Sequence, residues 1–135
     1  TLILFDIDHF KQINDRYGHL TGDACLRALA DLMRPRIHRA GDILARYGGE
    51  EFVIVLTGVD LTQSMALAEE FRVAIESLRV VSEGHTVAFT ASFGVVSTVP
   101  HATLQIEDLL AAADRALYEA KHNGRNCVRA ALIGT

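Results

Sequence analysis

Leu44-Ala45-Arg46-Tyr47-Gly48-Gly49-Glu50-Glu51-Phe52-Val53-Ile54-Val55-Leu56 sets two apolar runs on either side of two glycines and two carboxylates. Strand, Gly-Gly, strand is the pattern of a two-residue hairpin, because a type I′ turn needs positive φ at both central positions. The spacing predicts a hairpin over about 43–57 with Gly48 and Gly49 at its tip. Adjacent acids at the exit of a tight turn repel each other unless something cationic sits there. The hairpin is therefore also the first place to look for chemistry.

Upstream, the apolar run Leu2-Ile3-Leu4-Phe5 leads into Asp6-Ile7-Asp8 and reads as a buried strand over 2–8. A short helix is expected from Phe10 to Tyr17, stopped by Gly18. A longer helix opens at Thr21-Gly22-Asp23, with Leu26, Leu29, Ala30, Leu32 and Met33 on its inward side. Pro35 removes a ladder donor late in that helix and should kink or tighten it. Downstream of the hairpin, Leu67, Phe71, Ile75 and Leu78 recur at helical spacing within 62–80, and 86–97 reads as a strand bounded by Pro100. Thr103 is the expected N-cap of a last helix with Ile106, Leu109, Leu110, Ala113, Leu117 and Ala120 on one face. Asn123-Gly124 gives that helix a left-handed stop, and a final strand runs through Cys127-Val128. The order β-α-α-β-β-α-β-α-β predicts an α/β fold, helices flanking a mixed, mostly antiparallel central sheet.

The chain has 135 residues, enough for one core and too few for two. Half are hydrophobic and 22% are charged, which excludes disorder, and the net charge of −4 gives no basic field to grip a nucleic acid polymer. No apolar run approaches the roughly 20 residues that cross a bilayer, so no membrane contact is expected of this domain. Cys25 and Cys127 lie far apart in no metal-like spacing and read as reduced thiols, which points to the cytoplasm.

Asp6 and Asp8, two apart at a strand end, point the same way. If that strand pairs beside the hairpin, Asp6 comes near Glu50 and Glu51. Carboxylates gathered at one sheet edge call for a divalent cation, and an all-oxygen set suits Mg²⁺ or Mn²⁺ rather than zinc. The plainer alternative is an acidic, solvated sheet edge.

The ordered stretches Phe5-Asp6-Ile7-Asp8-His9-Phe10-Lys11, Asn14-Asp15, Gly18-His19, Gly22-Asp23 and Arg46-Tyr47-Gly48-Gly49-Glu50-Glu51-Phe52 resemble the GGDEF domain family. So do Ser92-Phe93-Gly94-Val95 and Ala113-Asp114-Arg115-Ala116-Leu117-Tyr118-Glu119-Ala120-Lys121 through Gly124-Arg125-Asn126. Glu stands at the third signature position, a variant that active members accept. The resemblance covers nearly the whole chain and implies a nucleotidyl-cyclase-like fold. It also implies a diguanylate cyclase, which condenses two GTP into cyclic di-GMP and releases two pyrophosphates.

On this resemblance, two Mg²⁺ (or Mn²⁺) per active site are held by Asp6, the carbonyl of Ile7 and Glu50, with Glu51 a further ligand. Glu50 is the proton acceptor, unless the metal itself deprotonates the hydroxyl. Lys11 is a phosphate contact, though by itself it reads as a solvated helix lysine. Asn14 and Asp23 read guanine; taken alone, Asp23 reads more simply as a helix N-cap, a role compatible with the first, and Asn14 as a turn residue. His19 contacts substrate, and Gly48 and Gly49 let the backbone approach the nucleotide. Lys121 and Arg125 hold the β/γ-phosphates, although basic residues at a helix C-terminus complement its dipole anyway. Arg39 and Asp42 match the Arg-x-x-Asp site where cyclic di-GMP inhibits, or form a plain surface ion pair. Glu70 falls where a second arginine often completes that site, with Arg72 close by.

One domain supplies one GTP site, so two phosphodiester bonds require a two-fold homodimer. Members usually carry a helix before the first strand, and this chain opens on the strand. The expectation is a single domain over 1–135, trimmed from a larger regulated protein, with a membrane anchor elsewhere in that protein left open. The alternative is a catalytically inactive module that binds GTP or cyclic di-GMP and signals to an attached domain.

Overall fold

Leu2–Ile7 is buried at every residue, which only an interior strand covered on both faces can be. The computed structural model describes residues 1–37 and 39–133, so the last two residues of the expected 1–135 domain lie outside the described residues. The chain runs β1 (Leu2–Ile7), α1 (Phe10–Tyr17), α2 (His19–Met33), β2 (Ile43–Gly48), β3 (Glu51–Val55) and α3 (Leu61–Ser77). It continues through β4 (Val80–Ser82), β5 (His85–Val87), β6 (Ala91–Val96), α4 (Ile106–His122) and β7 (Val128–Ala131). The main sheet has the order β2-β3-β1-β6-β7, with β7 parallel to β6 and every other pairing antiparallel. The expected mixed, mostly antiparallel sheet is present.

Alternation along β1 feeds two cores. Ile3, Phe5 and Ile7 pack with Ile13, Leu29, Met33, Phe71 and Ile75 from α1, α2 and α3. Leu2 and Leu4 face the other way, onto Val96 and onto Ala112, Ala113 and Leu117 of α4. Phe5 stacks between its cross-strand partners Phe52 and Phe93, ring centroids 5.4 and 4.7 Å away. These aromatic pairs fix the register of the three central strands. α4 lies so close to β6 that a Cβ on Gly94 would stand 2.2 Å from the Ala113 carbonyl oxygen.

Several local expectations need correction. Gly18, at φ 93, ends α1 and starts α2 in a single step, so α2 begins at His19 rather than at Thr21. Asp23 therefore sits inside the helix and cannot be its N-cap. Pro35 tightens the chain as expected, into a 3-10 turn over Arg34–Arg36. At the hairpin, Gly48 pairs with Glu51, and a register shift after Arg46 leaves Tyr47 as a bulge. The turn is Gly49-Glu50, and only Gly49 has positive φ, at 50°, so the type I′ turn expected at Gly48-Gly49 does not form. The bulge has moved the tip by one residue.

The expected strand over 86–97 is two strands. β5 folds back on β4 across Glu83-Gly84, both at positive φ, and β6 begins only at Ala91. α3 accordingly stops at Ser77, where the chain turns into β4. The N-cap of α4 is Gln105, whose N–H donates to the Asp108 carboxylate at 3.2 Å, while the Thr103 hydroxyl is spent on His101. Asn123-Gly124 does stop α4: Gly124 has φ 99, and the Arg125 N–H reaches back to the Ala120 carbonyl at 3.0 Å.

Gly94→Ala should cost about 3 kcal/mol, because the obstacle is helix backbone rather than a side chain that can swing aside. A urea-denaturation midpoint indistinguishable from wild type would contradict this packing.

Candidate active site

Asp6 faces the α4 side of the sheet, directly across from Glu51 on β3 and Ser92 on β6. It is 2% exposed. Lys121, in the last turn of α4, brings its Nζ to 2.5 Å from Asp6 Oδ2. Asp6 Oδ1 is buried with no hydrogen-bond partner among the described residues. Burial raises the Asp6 carboxyl to about 6; Lys121 opposes the rise, while Glu51 and Glu50 add to it. So strand pairing brings Asp6 near Glu50 and Glu51 at the hairpin, as the sequence predicts, and Lys121 partly offsets the Asp6 charge.

Asp8 has a different fate. Its carboxylate accepts from the Thr90 and Ser92 hydroxyls, both at 2.6 Å, and from the Asn126 N–H at 3.0 Å. One acid is fully satisfied by its own chain and the other is not. That contrast separates a structural carboxylate from one with coordination to spare.

Among the described residues no three His, Cys, Asp or Glu side chains form a ready-made metal cage. Mg²⁺ rarely uses one, since it is usually held by one or two carboxylates together with phosphate and water oxygens. The unpartnered, buried Oδ1 of Asp6 beside two further carboxylates fits that donor set. Ile7 is the last residue of β1, next to Asp6.

Lys11 is exposed on α1, and His19 is exposed at the first residue of α2. Asn14 is half-buried, its carboxamide laid over Gly22, where a Cβ would come within 1.8 Å of Asn14 Oδ1. The missing Cβ of Gly22 thus leaves room for the Asn14 carboxamide. Asp23 opens onto a cleft of about 470 Å³ between α2 and the hairpin, walled by Leu26, Arg27, Arg46 and Phe52. Asn14 and the hairpin acids do not line that cleft. Gly48 and Gly49 border open space. Arg125 is exposed just past α4.

Arg39 and Asp42 close on each other, Nε to Oδ2 at 2.8 Å, and Arg39 Nη2 also donates to the Thr57 carbonyl at 2.6 Å. Asp42 Oδ1 accepts from the Thr57 N–H at 3.1 Å, so the pair ties the start of β2 to the end of β3. The hydrogen bond from Arg39 leads in holding the Asp42 carboxyl below its usual range. Arg72 is committed to Glu69, Glu76 and Asn126 instead of standing in for a second arginine there. Sequence reasoning set Asp8 beside Asp6 and Arg72 near the product site, and it did not foresee that both are tied to Asn126. For Asn126 the signal is its place after Gly124-Arg125, asparagine being a residue type that tolerates left-handed backbone.

The family described as "Diguanylate cyclase, GGDEF domain" matches residues 1–127. The chain belongs to the GGDEF family. This GGDEF domain is 45% identical to diguanylate cyclase VdcA of Vibrio cholerae, over 95% of the chain and 38% of that protein. It is 39% identical to diguanylate cyclase A of Treponema denticola, over 95% of the chain and 34% of that protein. The chain thus spans little more than a third of these relatives. Among solved structures, the GGDEF domain of DgcB from Caulobacter crescentus in complex with c-di-GMP superposes with a TM-score of 0.87 at 35% identity, covering 96% of this chain and 75% of that one. The active GGEEF domain of a Vibrio cholerae diguanylate cyclase gives 0.81 at 35% identity, covering 99% and 82%.

The contrast between the two aspartates predicts opposite stability effects. Asp8→Ala strands two hydroxyls and an N–H and should cost about 3 kcal/mol. Asp6→Ala should stay within about 1 kcal/mol of wild type, because it removes a desolvated charge and Lys121 can turn to water. Denaturation curves showing the reverse ranking would reject this assignment.

Proposed function

We propose that this GGDEF domain condenses two GTP into cyclic di-GMP with release of two pyrophosphates. The observation that carries the proposal is the buried, unpartnered Asp6 oxygen at the junction with the Glu50-Glu51 hairpin. The signature Gly48-Gly49-Glu50-Glu51-Phe52 has the same five letters as the active GGEEF relative, which adds support.

Asp6, the Ile7 carbonyl and Glu50, with Glu51 adjoining, would hold two Mg²⁺ or Mn²⁺ ions. Bound there, the metal neutralises charge on the α-phosphate and pyrophosphate and acidifies the attacking hydroxyl. Glu50 accepts the proton of the ribose 3′-hydroxyl. The 3′-oxygen then bonds to the α-phosphorus of the second GTP, and the bond to that nucleotide's pyrophosphate breaks. Lys11 sits across charge that builds during transfer. Lys121 and Arg125 grip the β/γ-phosphates, and His19 adds a contact. Asp23 accepts from guanine N1–H and the N2 amino group, donors that adenine lacks, and Asn14 adds a second contact to the base. Gly48 has ordinary φ and no crowding neighbour. Its missing side chain is thus explained by ligand approach better than by packing.

Each domain brings one nucleotide, so a two-fold homodimer must face each 3′-hydroxyl toward the other α-phosphate. The product would inhibit by opening the Arg39–Asp42 pair and taking its place. We place this chemistry in the cytoplasm, where GTP is available, and assign it to 1–135 as one domain. No helix among the described residues is long and apolar enough to cross a membrane.

The protein carrying this domain should convert GTP, and not ATP, to a cyclic dinucleotide in Mg²⁺. Asp6→Ala and Glu50→Ala should each lower the rate about 10²-fold or more. Undiminished turnover in both variants would remove the mechanism. GTP binding without pyrophosphate release in wild type would instead identify a non-catalytic binding module.

A further inference from the structure

Past the end of α4, three consecutive residues stand in the left-handed region: Gly124 at φ 99, Arg125 at 61 and Asn126 at 46. Gly124 alone suffices to stop the helix. Two non-glycine residues following it in that conformation need something to hold them there. The holding groups come from three directions. The Arg125 N–H is tied to the Ala120 carbonyl of α4, and the Asn126 N–H to Asp8 at the end of β1. The Asn126 side chain is gripped twice by α3: Oδ1 accepts from Arg72 Nη1 at 2.8 Å, and Nδ2 donates to Glu76 Oε2 at 2.5 Å. Arg72 is in turn fixed by Glu69, its Nε lying 2.9 Å from both carboxylate oxygens.

The residue between these anchors is Arg125, whose backbone is pinned while its side chain is exposed and has no ion pair among the described residues. Lys121, one helical turn earlier, reaches the same strand end through Asp6. We propose that Asn126, clamped by Arg72 and Glu76 and tied to Asp8, is a positioning residue. It sets the backbone of Arg125 so that the guanidinium meets the terminal phosphates of the nucleotide beside Lys121. α3, which supplies no residue of the active site, thereby governs affinity for the triphosphate. This rests on the reading of Arg125 as a phosphate contact.

The test uses the protein that carries this domain and titrates 3′-deoxy-GTP and 3′-deoxy-GMP calorimetrically; neither can be joined through the missing hydroxyl. Asn126→Gly keeps left-handed backbone accessible and removes both side-chain clamps. It should weaken 3′-deoxy-GTP about 10-fold and leave 3′-deoxy-GMP within about 2-fold. Arg125→Ala should show the same selectivity, and the double variant should bind no worse than Arg125→Ala alone. Arg72→Met, which leaves residue 126 intact, should reproduce the loss if Asn126→Gly folds poorly. Arg125→Ala without effect on the triphosphate would remove the phosphate-contact reading and the proposal with it. A selective loss in Arg125→Ala with additive effects in the double variant would overturn positioning alone. Equal weakening of both nucleotides in Asn126→Gly and Arg72→Met would do the same.

Discussion

Asp6 occupies a strand from which water is excluded on both faces, and there an ionised carboxyl is held at a cost that raises its pKa to about 6. The surroundings do not remove that cost. Glu51 stands directly across the strand pair and Glu50 follows in the turn, so two more negative charges press on the same point. Lys121 offsets part of it from one side, and the second carboxylate oxygen still has no partner among the described residues. Natural cores rarely leave a buried acceptor in that condition without a use for it. The rest of the molecule can be understood as the means of keeping it there. The Phe52-Phe5-Phe93 stack holds three strands in register, and Gly94 lets α4 come close enough for Lys121 to reach.

The neighbouring aspartate shows what the same strand end does with an acid it needs for structure. Asp8 collects donors from Thr90 just before β6, from Ser92 within β6 and from the turn entering β7, so both of its carboxylate oxygens are partnered. Two acids at identical spacing thus diverge because their partners come from different elements. The first is balanced by a half-exposed lysine that can move, the second by hydroxyls and a backbone N–H that cannot. A carboxylate with an unpartnered oxygen and a fully partnered one are set two residues apart.

Local signals were legible where the decisive neighbours are close in sequence. The stop at Gly18, the tightening at Pro35 and the Asn123-Gly124 helix end each depend on residues within one turn, and each was readable. The hairpin was readable as a hairpin but misplaced by one residue, because the bulge at Tyr47 depends on pairing rather than on turn chemistry. β5 reads as one strand with β6 because alternation carries on through Val87, Phe89 and Ala91, and only Glu83-Gly84, between Val81-Ser82 and His85-Thr86, signals the turn before it. At the site, Asp6 and the hairpin acids could be joined from their positions at strand ends. Asp8 with Asn126 could not, since that contact spans 118 residues, nor could Arg72 with Asn126 across 54.

The bulge also bears on how two nucleotides could be brought together. β2 is an edge strand, and an extra residue at Tyr47 twists the hairpin tip away from flat pairing with another chain. A partner is therefore discouraged from adding a strand to the main-chain edge. It can still approach the tip itself, where Gly49-Glu50 projects and open space surrounds Gly48 and Gly49. The proposed two-fold meeting of active edges needs that arrangement. Each tip must carry its own carboxylate to its own nucleotide while leaving the opposite 3′-hydroxyl free to come in. A hairpin turned out of register by one residue meets both demands better than the regular Gly-Gly turn would, because it places Glu50 in the turn and Glu51 in the strand.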